Sequence, residues 1–196
     1  MELREPPEPL AGLIRDHRVI EEVVADARKA ISAAAGRPED RTLVAAGIEA
    51  LRDLEAFAGV DLTLHIAKEE EVLFPAIRAA TEAQTEMIIG DMLAQHDEVR
   101  DRNAEVRRVL AVIDSHHDEV GREVASISEG LRSSGMEASP GQLNTLYDTV
   151  KKLDWILQGH FLDEEDNLFA PATGWFSAER LSELAAEMAR IEARFA

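Results

Sequence analysis

Residues 65–75 read HIAKEEEVLFP and residues 160–171 read HFLDEEDNLFAP, so His65 stands four positions before Glu69 and His160 four before Glu164. In each copy a second acidic residue follows the glutamate, and the chain then runs through Leu-Phe to a proline. Positions four apart on an α-helix lie on one face, one turn apart. Each copy can therefore direct an imidazole nitrogen and a carboxylate oxygen to the same point. Two such pairs facing each other would make a dinuclear metal site.

Apolar stripes at helical spacing extend outward from both copies. Leu10, Leu13, His17, Ile20, Val24, Ala27 and Ile31 trace a first amphipathic helix ending at Gly36. Val44, Ile48, Leu51, Ala58, Leu62, His65, Glu69 and Val72 trace a second that stops at Pro75. A third starts near Thr85 and passes through Ile89, Leu93, His96, Val99, Val106, Leu110 and Ile113. The fourth follows the turn-forming SSGMEASPG, runs through Leu143, Leu146, Val150, Leu153, Leu157, His160 and Glu164, and ends before Pro171. No segment alternates apolar and polar residues as a strand does.

The fold expected is all-α, an up-down-up-down four-helix bundle with an extra segment after the third helix and a C-terminal fifth helix. His17 and His65 are 48 positions apart and His96 and His160 are 64 apart, which places the surplus after Ile113. Either the third helix breaks near residues 114–118, at DSHHD, and a short extra helix follows, or it runs on and overhangs the bundle by ~25 Å; the break is favoured. Residues 1–9 read as a flexible N-terminus and 10–171 as the bundle. Residues 172–196 read as a C-terminal helix, Ala178 to Phe195 with Ser177 as N-cap, packed on the bundle or used in dimerisation.

Composition narrows the chemistry. With 21 basic and 39 acidic residues the net charge is -18, which argues against nucleic acid and against an anionic membrane as partners. No run approaches the ~20 apolar residues of a membrane span, and the N-terminus lacks the basic start and apolar run of a signal peptide. A cytoplasmic protein is expected. Cysteine is absent, which removes thiolate ligation and leaves His, Asp, Glu and Tyr as candidate ligands.

A single histidine on an apolar stripe is more often a hydrogen-bonded core residue than a ligand. That reading weakens when His17, His65, His96 and His160 all fall on inward faces at matched depth with Glu69 and Glu164. Burying four imidazoles and two carboxylates together is costly without a cation. Oxygen and nitrogen donors without thiolate suit iron or manganese, and zinc less well.

In this arrangement of a histidine on the first helix, His-x-x-x-Glu on the second, a histidine on the third and His-x-x-x-Glu on the fourth, the chain resembles the hemerythrin-like, or HHE cation-binding, domains over about residues 10–171. The resemblance implies two iron ions bridged by Glu69 and Glu164 and by an oxo or hydroxo group, with the four histidines as terminal ligands. The oxygen-carrying members have a second histidine one turn from the first on the third helix, where this chain has Met92 and Arg100. It is similar instead to the sub-group with one histidine there, whose members are linked to peroxide or nitric-oxide handling and to oxygen or iron sensing.

The expected function is binding or reduction of a small oxidant, hydrogen peroxide, O2 or NO, with peroxide disproportionation as the enzymatic form. An oxygen, iron or redox sensor without turnover is the alternative, and reversible O2 carriage ranks below both. Monomer and homodimer stay open. Glu70, Glu71, Glu165 and Asp166 read as a solvated face, Asp61 as a surface residue in preference to a hydrogen-bond partner of His65, and His116 and His117 as surface or break residues. Tyr147 is given no site role, and Trp155 and Trp175 read as packing residues.

Overall fold

The protein's computed structural model describes the backbone of residues 6–81, 83–127 and 138–195, and the side chains of 6–81, 87–109 and 138–195. The described residues form helices and short connections, with no strand. The helices are α1 (Leu10–Gly36), α2 (Arg41–Phe57), α3 (Thr63–Lys68), α4 (Phe74–Ala80), α5 (Ala83–Ile127), α6 (Pro140–Glu164), α7 (Ala170–Trp175) and α8 (Ala178–Phe195). None of them is long and apolar enough to cross a membrane.

Side-chain caps set three of the starts. Asp40 Oδ1 accepts from the Thr42 and Leu43 amides ahead of α2. Ser139 and Gln142 exchange side-chain and backbone hydrogen bonds ahead of α6, the reciprocal arrangement that satisfies two otherwise unpaired donors. Ser177 Oγ accepts from the Arg180 amide at the start of α8.

The second and fourth helices were expected to stop at their prolines, and neither does. Widened π-helical turns join α2 to α3 (Ala58–Leu62), α3 to α4 (Glu69–Leu73) and α6 to α7 (Glu165–Phe169). The Phe74 amide bonds the Glu69 carbonyl and the Ala170 amide bonds the Glu165 carbonyl, each five residues back and each one residue before a proline. A proline ring collides with the carbonyl four residues earlier in a regular α-helix. The wider turn moves that carbonyl aside, so the helix passes Pro75 and Pro171 and continues.

The expected break near residues 114–118 is also absent, because α5 stays helical through Ile127. Ser and Asp in DSHHD can cap a new helix, but no proline stands there to end the old one, and the only nearby glycine is Gly121. The extra segment beyond it, and the side chains of His116 and His117, lie outside the described residues.

The chain divides into two compact units. One comprises residues 1–22, 57–99 and 155–196, the other 23–56 and 100–154. In the first, Leu13, Leu73, Phe74, Ile77, Ile89, Leu168, Phe169 and Leu184 belong to one buried cluster. The amphipathic α8 joins it through Leu181, Leu184, Met188 and Ile191, and Trp175 packs against it. Trp155, expected to pack, is instead 74% exposed. It falls between the inward positions Leu153, Ile156 and Leu157, so the helical period turns it outward.

In the second unit Val24, Ile31, Ile48, Leu51, Leu146 and Val150 are buried, and Arg28 reaches the buried Asp154 carboxylate at 2.8 Å. Here Gly47 of α2 lies close against α1. A Cβ at position 47 would stand 3.0 Å from Ala34 Cβ and 3.3 Å from the Ala30 carbonyl oxygen. Gly47→Val should therefore cost about 1–3 kcal/mol of stability through overpacking. By contrast Gly90→Ala, in α5 with nothing within 4 Å, should gain roughly 0.8–1 kcal/mol from helix propensity. Urea unfolding of the two variants checks both signs.

Candidate metal centre

His17 on α1, His65 on α3, His96 on α5 and His160 on α6 meet in the first unit, together with Glu69 and Glu164. All six are at most 2% exposed. They form two groups able to hold a cation, one of His17, His65, Glu69 and Glu164 and the other of His96, His160, Glu69 and Glu164. Within each group the ligand atoms all lie within 4.8 Å of one another.

The two glutamates belong to both groups, and each divides its oxygens between them. Glu69 Oε1 is 3.2 Å from His65 Nε2 and 3.7 Å from His17 Nε2, while its Oε2 is 3.3 Å from His96 Nε2. Glu164 Oε2 is 3.3 Å from His17 Nε2, while its Oε1 is 3.3 Å from His160 Nε2. The His-x-x-x-Glu spacing achieves this because each histidine and its glutamate point the same way along one helix face.

Second partners orient the imidazoles. His17 Nδ1 donates to Glu165 Oε1 at 3.0 Å, His96 Nδ1 to Glu70 Oε1 at 2.9 Å, and His160 Nδ1 to Gln95 Oε1 at 2.7 Å. His65 Nδ1 faces Asp16 Oδ2 at 3.5 Å. With the proton held on Nδ1, a neutral ring carries its lone pair on Nε2, and all four Nε2 atoms face the glutamate oxygens. His96 and His160 even set their Nε2 atoms 3.0 Å apart. Two lone pairs at that distance repel unless a cation lies between them.

These partners follow a pattern. The residue just after each inward glutamate, Glu70 or Glu165, holds the lone histidine of the other half of the chain. The residue just before each lone histidine, Asp16 or Gln95, faces the histidine of its own half. Glu70 and Glu165, which helical spacing alone assigns to a solvated face, are half-buried hydrogen-bond acceptors instead. Their recurrence at the same place in both copies of the repeat was the available signal. Asp61 is exposed, and Asp16 takes the place beside His65.

Ion pairs surround this outer layer. Arg18 binds Glu165 at 2.8 Å, and the largely buried Lys68 spans Asp16 at 3.1 Å and Glu192 of α8 at 2.8 Å. Arg194 of α8 reaches Glu71 at 2.6 Å. Aromatic rings close the remaining sides. Phe161 stacks on His17 with centroids 4.0 Å apart, and Phe74 lies parallel to His96 at 5.9 Å.

The donor set fits a metal by a direct test. Both oxygens of Glu69 and of Glu164, with His17 Nε2 and His65 Nε2, are buried without a hydrogen-bond partner. Buried polar atoms are ordinarily satisfied, and here the unsatisfied ones converge. The local charges respond accordingly. Burial and the Glu69 charge push the Glu164 carboxyl well above its usual range. Burial would lower His65, but the Glu69 and Asp16 carboxylates outweigh it and raise it to about 9. Burial would likewise raise Glu69, but the charge on His65 and the nearness of the His17, His65 and His96 imidazoles hold it well down. Burial, with the neighbouring histidines, lowers His160 to about 3 despite the Glu69 charge.

A profile of the hemerythrin HHE cation binding domain matches residues 8–114. The match takes in His17, His65, Glu69 and His96, and the structure adds His160 and Glu164 from α6, beyond its end. Neither a curated protein nor a solved structure matches the chain.

Metal uptake has to displace protons from His65 and Glu164, since both have raised values. For His65 the proton is held from its ordinary 6.5 up to about 9, so uptake should strengthen as pH rises through that window, up to tenfold per unit for each proton released. Calorimetric titration with manganous ion at pH 6.5, 7.5 and 8.5, in buffers of different ionisation enthalpy, measures both the affinity and the protons. A pH-independent affinity would contradict the assignment.

Proposed function

Because the chain belongs to the hemerythrin HHE cation-binding domain family, we propose that it is a carboxylate-bridged di-iron protein that binds or reduces a small oxidant: hydrogen peroxide, O2 or NO. One observation carries this reading. Glu69 and Glu164 each turn one oxygen toward the His17/His65 pair and the other toward the His96/His160 pair. That division is what two ions bridged by two carboxylates require. The four histidines would be terminal ligands, two to an ion. Iron, with manganese second, suits this nitrogen and oxygen donor set.

When bound, a pair of redox-active ions supplies electrons and exchangeable positions for a small ligand. The chain's own residues do the rest. Glu165, Glu70, Gln95 and Asp16 fix the histidine tautomers, Phe161 and Phe74 exclude water along the imidazoles, and Met92, one turn before His96, offers no nitrogen or oxygen donor. Two histidines per ion leave coordination for a ligand from solution, which favours reaction over reversible carriage. Anaerobic loading with ferrous iron should give two ions per chain. Subsequent peroxide should then disappear faster than with the same iron free in solution, and Glu69→Ala should abolish the difference. Peroxide loss no faster than the free-iron control rejects turnover.

A sensing role is the second reading, and a separate observation favours it. Lys68 links Asp16, which faces His65, to Glu192 on α8. A change in charge at the centre would therefore reach the C-terminal helix through three successive contacts. On this reading iron loading should raise the thermal unfolding midpoint by several degrees, and Lys68→Met should shrink that rise. An unchanged midpoint on loading counts against a metal-driven switch.

A further inference from the structure

The internal repeat is symmetric in its ligands but not in what stands behind them. Three of the four Nδ1 atoms face carboxylates: Glu165 behind His17, Asp16 behind His65 and Glu70 behind His96. The fourth, on His160, donates to the neutral amide oxygen of Gln95 at 2.7 Å. An anionic acceptor makes an imidazole a stronger ligand, and losing such a partner typically costs about 10–100-fold in metal affinity. An amide supplies orientation with much less of that electronic push.

A second asymmetry falls on the same side. A cleft of about 390 Å³ is lined by Asp91, Met92, Gln95, Asp163 and Asn167 among others. Gln95 is only half-buried, so the side chain that holds His160 is also a wall of this cleft. Met92 lines it too and is itself 2% exposed, which sets a flexible apolar side chain between cleft and core. The partners behind His17 and His65 are instead tied down by Arg18 and Lys68.

Resting on the dinuclear reading above, we propose that the two metal positions are inequivalent, the His96/His160 position being the weaker and more readily exchanged, with Gln95 the positioning residue that makes it so. The neutral acceptor lowers the hold on the ion at that position. The adjoining cleft gives a route by which ions and small ligands arrive and leave. The His17/His65 position, backed by two carboxylates, keeps its ion.

Manganous ion titrated into the metal-free 196-residue chain, with calorimetry and metal analysis, tests this without reference to activity. The wild-type chain should bind two equivalents in steps at least tenfold apart, and a chelator should withdraw one ion well before the other. Gln95→Glu should tighten the weaker step by on the order of tenfold and slow release of the first ion, leaving the tighter step in place. Gln95→Leu should loosen the weaker step alone, and Asp16→Asn should loosen the tighter one. Circular dichroism of the variants verifies that each is folded. Two equal steps in the wild-type chain, or a response of the tighter step to Gln95→Glu, overturns the inequivalence while leaving two ions per chain. A single equivalent overturns the dinuclear reading itself.

Discussion

Two carboxylates, Glu69 and Glu164, are buried with none of their four oxygens hydrogen-bonded. An ionised carboxylate without a partner in a protein interior is among the most expensive groups a fold can contain. Around these two, four imidazoles turn their Nε2 atoms inward, one each from α1, α3, α5 and α6. A chain folded for its own sake would have placed leucines here, as it does one turn on at Leu73 and Leu168. The arrangement makes energetic sense as a cage for positive charge, with protons on His65 and Glu164 standing in for it.

Much of this was legible in the sequence, for identifiable reasons. All six inward residues sit on apolar stripes of period 3.6, so their burial follows from the pattern that predicts the helices. The repeated His-x-x-x-Glu announces convergence because position i and i+4 share a face. What escaped is the identity of the residues behind the ligands. Glu70 and Glu165 are one step round the helix, about 100° from the inward direction, and spacing alone makes such positions solvent-facing. They become acceptors only because a histidine from another helix arrives beside them, and a contact between helices leaves no mark in local periodicity. Trp155 shows the converse, since bulk and hydrophobicity suggested packing while its place in the turn left it outside. At DSHHD the capping residues suggested a start, but nothing supplied the matching stop.

The C-terminal helix is bound to the centre by more than apolar packing. Its Glu192 and Arg194 pair with Lys68 and Glu71, which flank Glu69 and Glu70 in the sequence. Exposed ion pairs of this kind contribute little to stability singly, but Lys68 is largely buried and answers to two carboxylates at once. The last turn of α8 thus shares a charge network with His65, although the two are more than a hundred residues apart in the chain.

The widened turns carry a further lesson. From His65 to Pro75 is ten steps, and from His160 to Pro171 eleven. The π-helical turns begin at Glu69 and at Glu165, so they keep a constant distance from the proline and not from the histidine. Each holds one residue more than a regular turn would. Removing a residue from either stretch would let the helix revert to ordinary winding and swing everything on one side of the cut by about 100° relative to the other. The ligand face and the core face, which today coincide, would then part company. The interval from histidine to proline behaves as a reading frame written in three dimensions: substitutions can be absorbed within it, but a change of length cannot.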